Sequence, residues 1–389
     1  METKGKILVT DAQMRSSLAV IRSLGKKGLD VTAGEETRFA TSFFSKYCNQ
    51  KFVYPSPKSN EKAFVNSIIQ LIKKEKYDII IPVADACLKP IIENRDEISK
   101  YSKIALPPNH KFMKSHDKHS TIEIALENEV PCPKTYFDWE SLSENKDKLQ
   151  FPLVIKPRIS SGSRGVKICH SWKELSLNYQ SLEKEYGGLL VQEYIPYGGE
   201  IGVYTLFNFD SEPKALTVQQ RIRSYPVSGG PSTFRRTIKN QLASEAVEIG
   251  FKLLKEMEWW GVAMVEFRID DRDGSLKLME VNPRFWGSLQ LSILSGVDFP
   301  YLLYELFTKG DVKSNLDYED NVYCRWLLPG DVLWFLSAPH KLKNLRTFLR
   351  HDSPDDIISR DDYGPTFGFF IASLRYLFDC DMWNFVLRR

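Results

Sequence analysis

The chain lacks several features that would place it in familiar classes. Its 389 residues contain no run of the roughly 20 apolar residues needed to span a bilayer. The start, Met1-Glu2-Thr3-Lys4-Gly5-Lys6, is not an apolar leader, so the expected compartment is the cytoplasm. Six cysteines (Cys48, Cys87, Cys132, Cys169, Cys324, Cys380) are scattered without a C-x-x-C pair, which argues against a zinc site and fits reduced, buried thiols. Net charge is only +3 and no basic run tracks a phosphate backbone, so no nucleic-acid partner is expected. The first β-strand is followed by Thr10-Asp11-Ala12-Gln13-Met14-Arg15, without the Gly-x-Gly-x-x-Gly fingerprint of a dinucleotide site. The six histidines form no Ser-His-Asp or Cys-His arrangement with a nucleophile.

What is present describes an ordinary globular enzyme. Hydrophobic content is 42% and charged content 26%, and the length allows two or three cores. Lys6–Thr10 reads as a strand, then a helix runs through Met14, Leu18 and Ile21, and Leu29–Ala33 is a second strand. Phe64–Lys74 reads as a helix, Asp78–Val83 as a buried strand, Cys87–Ile98 as a helix and Ile104–Leu106 as a short strand. This β-α-β order predicts a parallel sheet with helices around it. Asp11 and Asp85, after its strands, are candidate substrate contacts or caps of the following helices.

From His116 the character changes. A helix passes through Ile122, Ala125 and Leu126, and Leu153–Pro157 is a strand with Lys156 near its end. Arg158–Val166 follows, a Ser/Gly-rich loop between strands whose backbone N–H groups suit an anion. Leu189–Pro196 is a strand turning at Gly198-Gly199, and Glu200–Phe209 and Ala215–Arg223 pair as antiparallel strands. Ala243–Met257 is a helix. Arg221–Arg236 reads as a Gly/Ser/Pro loop crowded with arginines, where Arg223 or Arg235 would bind a carboxylate or stay solvated.

The most informative stretch is Met279–Gly287 with Glu266 upstream. Val262–Ile269 and Ser275–Val281 read as two strands joined at Asp271-Arg272-Asp273-Gly274. Alternation puts Glu280 and Asn282 on one face, and the hairpin brings Glu266 within about one register step of Glu280. Two carboxylates and an amide oxygen suit a hard cation, magnesium carrying phosphate; two solvated acids are the alternative. Pro283 ends the strand, and Arg284 adds a fixed cation of the kind phosphoryl transfer uses.

Taken in order, Asp117-Lys118, Val154-Ile155-Lys156-Pro157, the Ser/Gly loop, Gln192-Glu193-Tyr194-Ile195 with Glu200, then Glu266 and Glu280-x-Asn282-x-Arg284 resemble the ATP-grasp superfamily. The likeness covers about residues 1–310 and is nearest to the carboxylate–amine ligases, with a biotin-carboxylase-like N-terminal part. It implies a multidomain α/β and α+β fold: a parallel α/β domain over 1–112, two α+β subdomains over 113–190 and 191–310, and a C-terminal appendage over 311–389. It implies ATP and Mg²⁺, or Mn²⁺, as cofactors. Lys118 and Lys156 would touch the phosphates under a lid carrying Ser161, Gly162, Ser163 and Gly165. Gln192, Glu193, Tyr194 and Ile195 would form the adenine hinge, with Glu193 and Glu200 bonding the adenine amine and ribose. Glu266, Glu280 and Asn282 would hold the metal, and Arg284 would lie near the γ-phosphate or the substrate carboxylate.

The resemblance further implies a ligase that makes an acyl phosphate from a small carboxylate and passes the acyl group to an amine, releasing ADP and phosphate. A carboxylase, a phosphotransferase and a nucleotide-binding regulator without turnover are the alternatives. Intact Lys156, Glu280, Asn282 and Arg284 weigh against the regulator, and the absence of a Met-Lys-Met carrier motif against a biotin carboxylase. A homodimer is compatible with the sequence. Beyond residue 310, Val322–Asp331 suggests a strand and turn, Val332–Leu336 a helix, Asp352–Asp362 an acidic loop and Phe367–Phe378 an aromatic segment broken by Arg375. The aromatic segment reads as a packed helix, with a membrane-surface role as the other reading.

Overall fold

In the computed structural model, residues 5–376 are described except 161, 163, 228 and 350–352. Three sheets follow one another along the chain. The first is parallel, with strands β1 (Lys6–Val9), β2 (Asp30–Glu35), β3 (Gln50–Val53), β4 (Ile79–Ile81) and β5 (Lys103–Ile104) in the order β3-β2-β1-β4-β5. Its central strands are apolar on both faces, as a sheet covered on both sides requires. Helices α1 (Arg15–Lys26), α2 (Glu61–Lys74), α3 (Asp85–Glu93) and α4 (Arg95–Ile98) surround it. The stretch expected to be a single helix over Cys87–Ile98 is two, broken at Asn94, whose amide donates to the carbonyl of Pro90 at 2.9 Å. The edge strand β3 has no apolar run and no sequence expectation covered it. Its mostly exposed residues fit the rim of a sheet.

The second sheet is antiparallel, with β6 (Thr135–Tyr136), β7 (Leu153–Pro157), β8 (Lys167–Cys169) and β9 (Leu189–Glu193) in the order β6-β9-β7-β8. Helices α5 (Asn109–His116) and α6 (Lys118–Glu127) precede it, and α7 (Trp139–Glu144) and α8 (Trp172–Tyr186) accompany it. Sequence reasoning passed over α8. Its start is marked by Ser171, whose hydroxyl accepts the Glu174 N–H, and by Glu174, whose carboxylate accepts the His170 N–H at 2.8 Å. Gly187, at φ 66°, ends it. This sheet has its own apolar cluster, built from Leu142, Leu153, Ile155, Leu175, Leu189 and Val191 among others.

The third sheet is antiparallel, with β10 (Tyr197–Phe207), β11 (Pro213–Ser224), β12 (Ser232–Thr237), β13 (Gly261–Asp270), β14 (Leu276–Asn282) and β15 (Tyr323–Arg325) in the order β14-β13-β10-β11-β12-β15. Residues 221–236, expected as a loop, are therefore largely the end of β11 and the start of β12. Arginines alternate there with β-branched and aromatic residues, a pattern that composition alone reads as loop. Helices α9 (Gln241–Glu256), α10 (Leu289–Leu294) and α11 (Phe299–Lys309) pack on this sheet, and α12 (Val332–Ser337), α13 (Lys341–Phe348) and α14 (Gly364–Tyr376) follow. The first and third sheets share one continuous core, in which α1 is buried between the parallel sheet and α10 and α11.

The region after residue 310 is stitched into this core rather than hung beside it. Strand β15 extends the third sheet, pairing Cys324 with Arg235. Asp331, Asp356 and Asp362 are buried and bind Arg223 and Arg325, Arg15 and Arg235, and Arg22, respectively. Each carboxylate is thus neutralised by a guanidinium, the condition on which a buried acid is tolerated. Residues 377 and 378 of the aromatic segment lie outside the described residues; the rest of it is α14.

Candidate nucleotide and metal site

The β13–β14 hairpin pairs Glu266 directly with Glu280. A bulge between Glu266 and Phe267 places Met279 as the extra residue of β14 and still leaves Glu280 and Asn282 on one face. The Asn282 amide donates to Glu280 Oε1 at 2.9 Å, which leaves its own oxygen as an acceptor. Around the two acids stand cations. Lys118 Nζ lies 3.6 Å from Glu280 Oε2, and Arg221 Nη2 lies 3.4 Å from Glu266 Oε2. Arg221 also pairs with Glu200, which pairs in turn with Arg268 at 3.1 Å.

Lys118 reaches the acids because Asp117 fixes the start of α6. The Asp117 carboxylate accepts the His119 N–H at 2.9 Å and takes Arg158 side-on, from Nε at 3.2 Å and Nη2 at 2.5 Å. Lys118 itself is 8% exposed and donates to the carbonyl of Ser160 at 2.8 Å, tying the start of the Ser/Gly loop to the acidic hairpin. In that loop Gly162 and Gly165 both have positive φ, 65° and 72°. A Cβ on Gly165 would sit 2.5 Å from Pro157 Cγ and 2.9 Å from the Tyr186 ring, so glycine is required there. Ser161 and Ser163 lie outside the described residues.

Electrostatics follow from this crowding. Burial lowers the Lys156 ammonium to about 8, against the attraction of Glu280, and Lys118 and Arg268 push the same way as burial. Burial also raises Glu266, with Arg221 opposing and Glu200 and Glu280 adding to the rise. Glu280 behaves oppositely. Burial acts upward, but Lys118, the Asn282 amide and Lys156 outweigh it and hold the group below its ordinary range. Among the described residues no cluster of three or more His, Cys, Asp or Glu forms a self-sufficient metal cage. Two carboxylates and an amide oxygen are nonetheless donors of the kind that would hold a hard cation.

The other expected residues fall into distinct settings. Gln192 is buried and its amide donates to Thr135 Oγ1 at 2.9 Å. Glu193 is held by Arg272 at 2.8 Å, Tyr194 donates its N–H to the carbonyl of Pro152 at 3.3 Å, and the carbonyl of Ile195 accepts from Arg268 at 3.3 Å. The contacts of Arg272 and Arg268 join the end of β9 to the β13–β14 hairpin. Arg284 Nε lies 2.8 Å from Asp85 Oδ1, so the end of the hairpin meets the turn after β4. Asp11, at φ 59°, accepts the N–H groups of Val83 and Ala84 at 3.2 and 2.9 Å; it braces the loop before α3, not its own helix.

Arg223 and Arg235 are engaged elsewhere. Arg223 lies 2.9 Å from Asp331, with its guanidinium over the rings of Trp334 and Phe234. Arg235 is 1% exposed and bound to Asp356, while its Nε and Nη1 have no partner among the described residues. Two arginines that sequence reasoning did not single out, Arg221 and Arg268, stand beside the acids instead. A signal for Arg268 existed: it lies two residues after Glu266 and so shares its face. Arg221 fell where the strand expected over Ala215–Arg223 and the loop expected over 221–236 overlap, so its side chain was assigned to no face.

Residues 115–288 match the ATP-grasp domain family. The chain is 25% identical over 250 residues to formate-dependent phosphoribosylglycinamide formyltransferase of Bacillus velezensis, covering 59% of this chain and 62% of that protein. It is 24% identical over 305 residues to D-aspartate ligase of Enterococcus faecium, covering 71% of each. Among solved structures, biotin carboxylase of Campylobacter jejuni superposes with a TM-score of 0.68 at 16% identity, covering 82% of this chain and 74% of that one. The acidic hairpin, Lys118 and Lys156 all lie inside the stretch that matches the ATP-grasp domain family.

Proposed function

We propose that the protein is an ATP-dependent carboxylate–amine ligase that forms ADP. The observation that carries this reading is the register pair Glu266–Glu280, set among Lys118, Lys156 and Arg221 at the mouth of the loop beginning at Ser160. Lys118 and Lys156 are the phosphate contacts, and Glu266, Glu280 and Asn282 are the oxygen donors for Mg²⁺. When bound, the metal neutralises charge on the phosphate oxygens. The Ser160–Gly165 loop excludes water that would hydrolyse an activated acid. Gln192–Ile195 borders adenine, where backbone N–H and C=O groups supply the contacts.

A substrate carboxylate oxygen attacks the γ-phosphorus, the bond to the β,γ-bridging oxygen breaks, and ADP leaves. An amine then attacks the acyl carbon, phosphate departs, and the ammonium proton passes to solvent or a nearby base. No enzyme nucleophile is needed; positioning and charge neutralisation carry the rate. Arg284, paired with Asp85, lies where the hairpin meets the parallel sheet and is the cation offered to the γ-phosphate or the acid. The names of the formyltransferase and D-aspartate ligase relatives support the class and leave the acid and amine open.

The test is a screen of amino acids and small carboxylic acids, in pairs, for ADP and phosphate release. Release of ADP and phosphate only when both partners are present supports the ligase. AMP and pyrophosphate as products would remove it. A carboxylase reading predicts bicarbonate dependence instead.

A further inference from the structure

We propose that α12 and α13 form a docking surface for an anionic lipid bilayer. The inward side of this helical hairpin is fixed: Phe348 stacks on Phe335 at 4.4 Å, its carbonyl accepts from Arg325 at 2.7 Å, and Arg223 lies under Trp334 at 4.3 Å. These contacts decide which side of α13 looks outward. That side carries Leu342, Leu345 and Leu349, at i, i+3 and i+7, and they are exposed by 89%, 39% and 49%. Leu336, at the end of α12, is exposed as well.

Cations frame this stripe. At helical spacing Lys341 falls on one side of it and Arg346 on the other, with Lys343 beyond, and all three are exposed. Long basic side chains flanking an apolar stripe can bury their stems while the charged ends reach headgroups. Residues 332–351 contain none of the chain's 50 acidic residues, although they hold Lys341, Lys343, Arg346 and Arg350. A second copy of the chain would bring the same acid-free, cationic face against this one, and like charges would oppose the contact. An anionic membrane satisfies both the leucines and the cations. The surface lies outside the ATP-grasp match over 115–288 and includes none of the residues of the nucleotide site. No helix among the described residues is long and apolar enough to cross a membrane, so the contact is interfacial.

The full chain should co-sediment with phosphatidylcholine vesicles that contain phosphatidylglycerol, and poorly with phosphatidylcholine alone. Each cation near an anionic surface contributes a factor of about five, so Lys341→Glu with Arg346→Glu should weaken binding by at least about 25-fold, and high salt should weaken it too. Leu342→Ser with Leu349→Ser should weaken binding at least about tenfold. Both pairs should leave the thermal midpoint and lipid-free ADP formation unchanged, because the altered side chains are exposed and none belongs to the nucleotide site. Equal binding to both vesicle types, no binding to either, or full binding by both variants would overturn the proposal. Full binding by the variants together with loss on Phe367→Ser and Phe370→Ser would move the contact to α14 and overturn it for α13. A concentration-dependent dimer that the leucine variant abolishes, without any lipid binding, would show that the face joins two copies.

Discussion

Raising pH through 8 should weaken ATP binding, and Lys156 should be the reason. The folded environment lowers its ammonium from an ordinary lysine value to about 8, chiefly by burial. A lysine depressed in this way loses its proton as pH rises past 8, and the ammonium is the form a phosphate selects. If only the charged form binds, the apparent dissociation constant scales with one plus the ratio of neutral to charged lysine. That gives about a tenfold weakening between pH 7 and pH 9. Calorimetry at pH 7, 8 and 9 in buffers of different ionisation heat measures both the affinity and the proton uptake. Uptake should rise toward one proton above pH 8, because bound phosphate restores the ammonium. Lys156→Arg should flatten the profile, since a guanidinium stays charged throughout. Flat affinity in the parent protein, or an unchanged slope in the arginine variant, would refute the argument. The nucleotide-free protein supplies a sign check. Between pH 8 and 10.5 the unfolded chain holds more protons at this lysine than the folded one, so its contribution to stability rises with pH.

Further outcomes follow from other parts of the molecule. Glu35 is raised to about 7 by burial, so the unfolded chain loses its proton first and stability should fall as pH rises from about 4.5 to 7; Glu35→Gln should remove that slope in urea melts. Asp362 takes Arg22 at 2.9 Å, the Ser45 hydroxyl at 2.7 Å and the Lys46 N–H at 3.0 Å, so Asp362→Ala, which leaves Arg22 buried without its carboxylate, should cost about 3–5 kcal/mol in denaturant unfolding. Gly165→Ala forces a Cβ against Pro157 and Tyr186 at positive φ, and should lower kcat by tenfold or more while global stability falls by only about 1–2 kcal/mol.

Periodicity carried much of the fold. Apart from the edge strand β3, the parallel sheet was legible because its strands are short apolar runs separated by helical spacing, and the β13–β14 hairpin because Asp-Arg-Asp-Gly marks its turn. The pairing of Glu266 with Glu280 could be placed to about one register step; the bulge that sets the final register depends on packing that no local pattern records. The strand character of 232–237 was hidden because Arg235 finds its buried carboxylate, Asp356, 121 residues later in the chain. The same long-range pairing explains why residues beyond 310 looked like an appendage. Their acids read as a polar loop until Arg15, Arg22 and Arg235 are seen to neutralise them. Lys118 was legible as a member of a motif, but its reach to both Ser160 and Glu280 belongs to tertiary structure.

The central claim is that a carboxylate of the substrate attacks ATP. It is tested most directly with a carboxylic acid, identified in the ADP-release screen and labelled with ¹⁸O in its carboxylate, followed by ³¹P NMR of the products. Transfer through an acyl phosphate places one ¹⁸O in the released phosphate, with ADP as the nucleotide product, and Glu280→Gln abolishes the transfer together with turnover. Unlabelled phosphate, or AMP with pyrophosphate, would contradict the account.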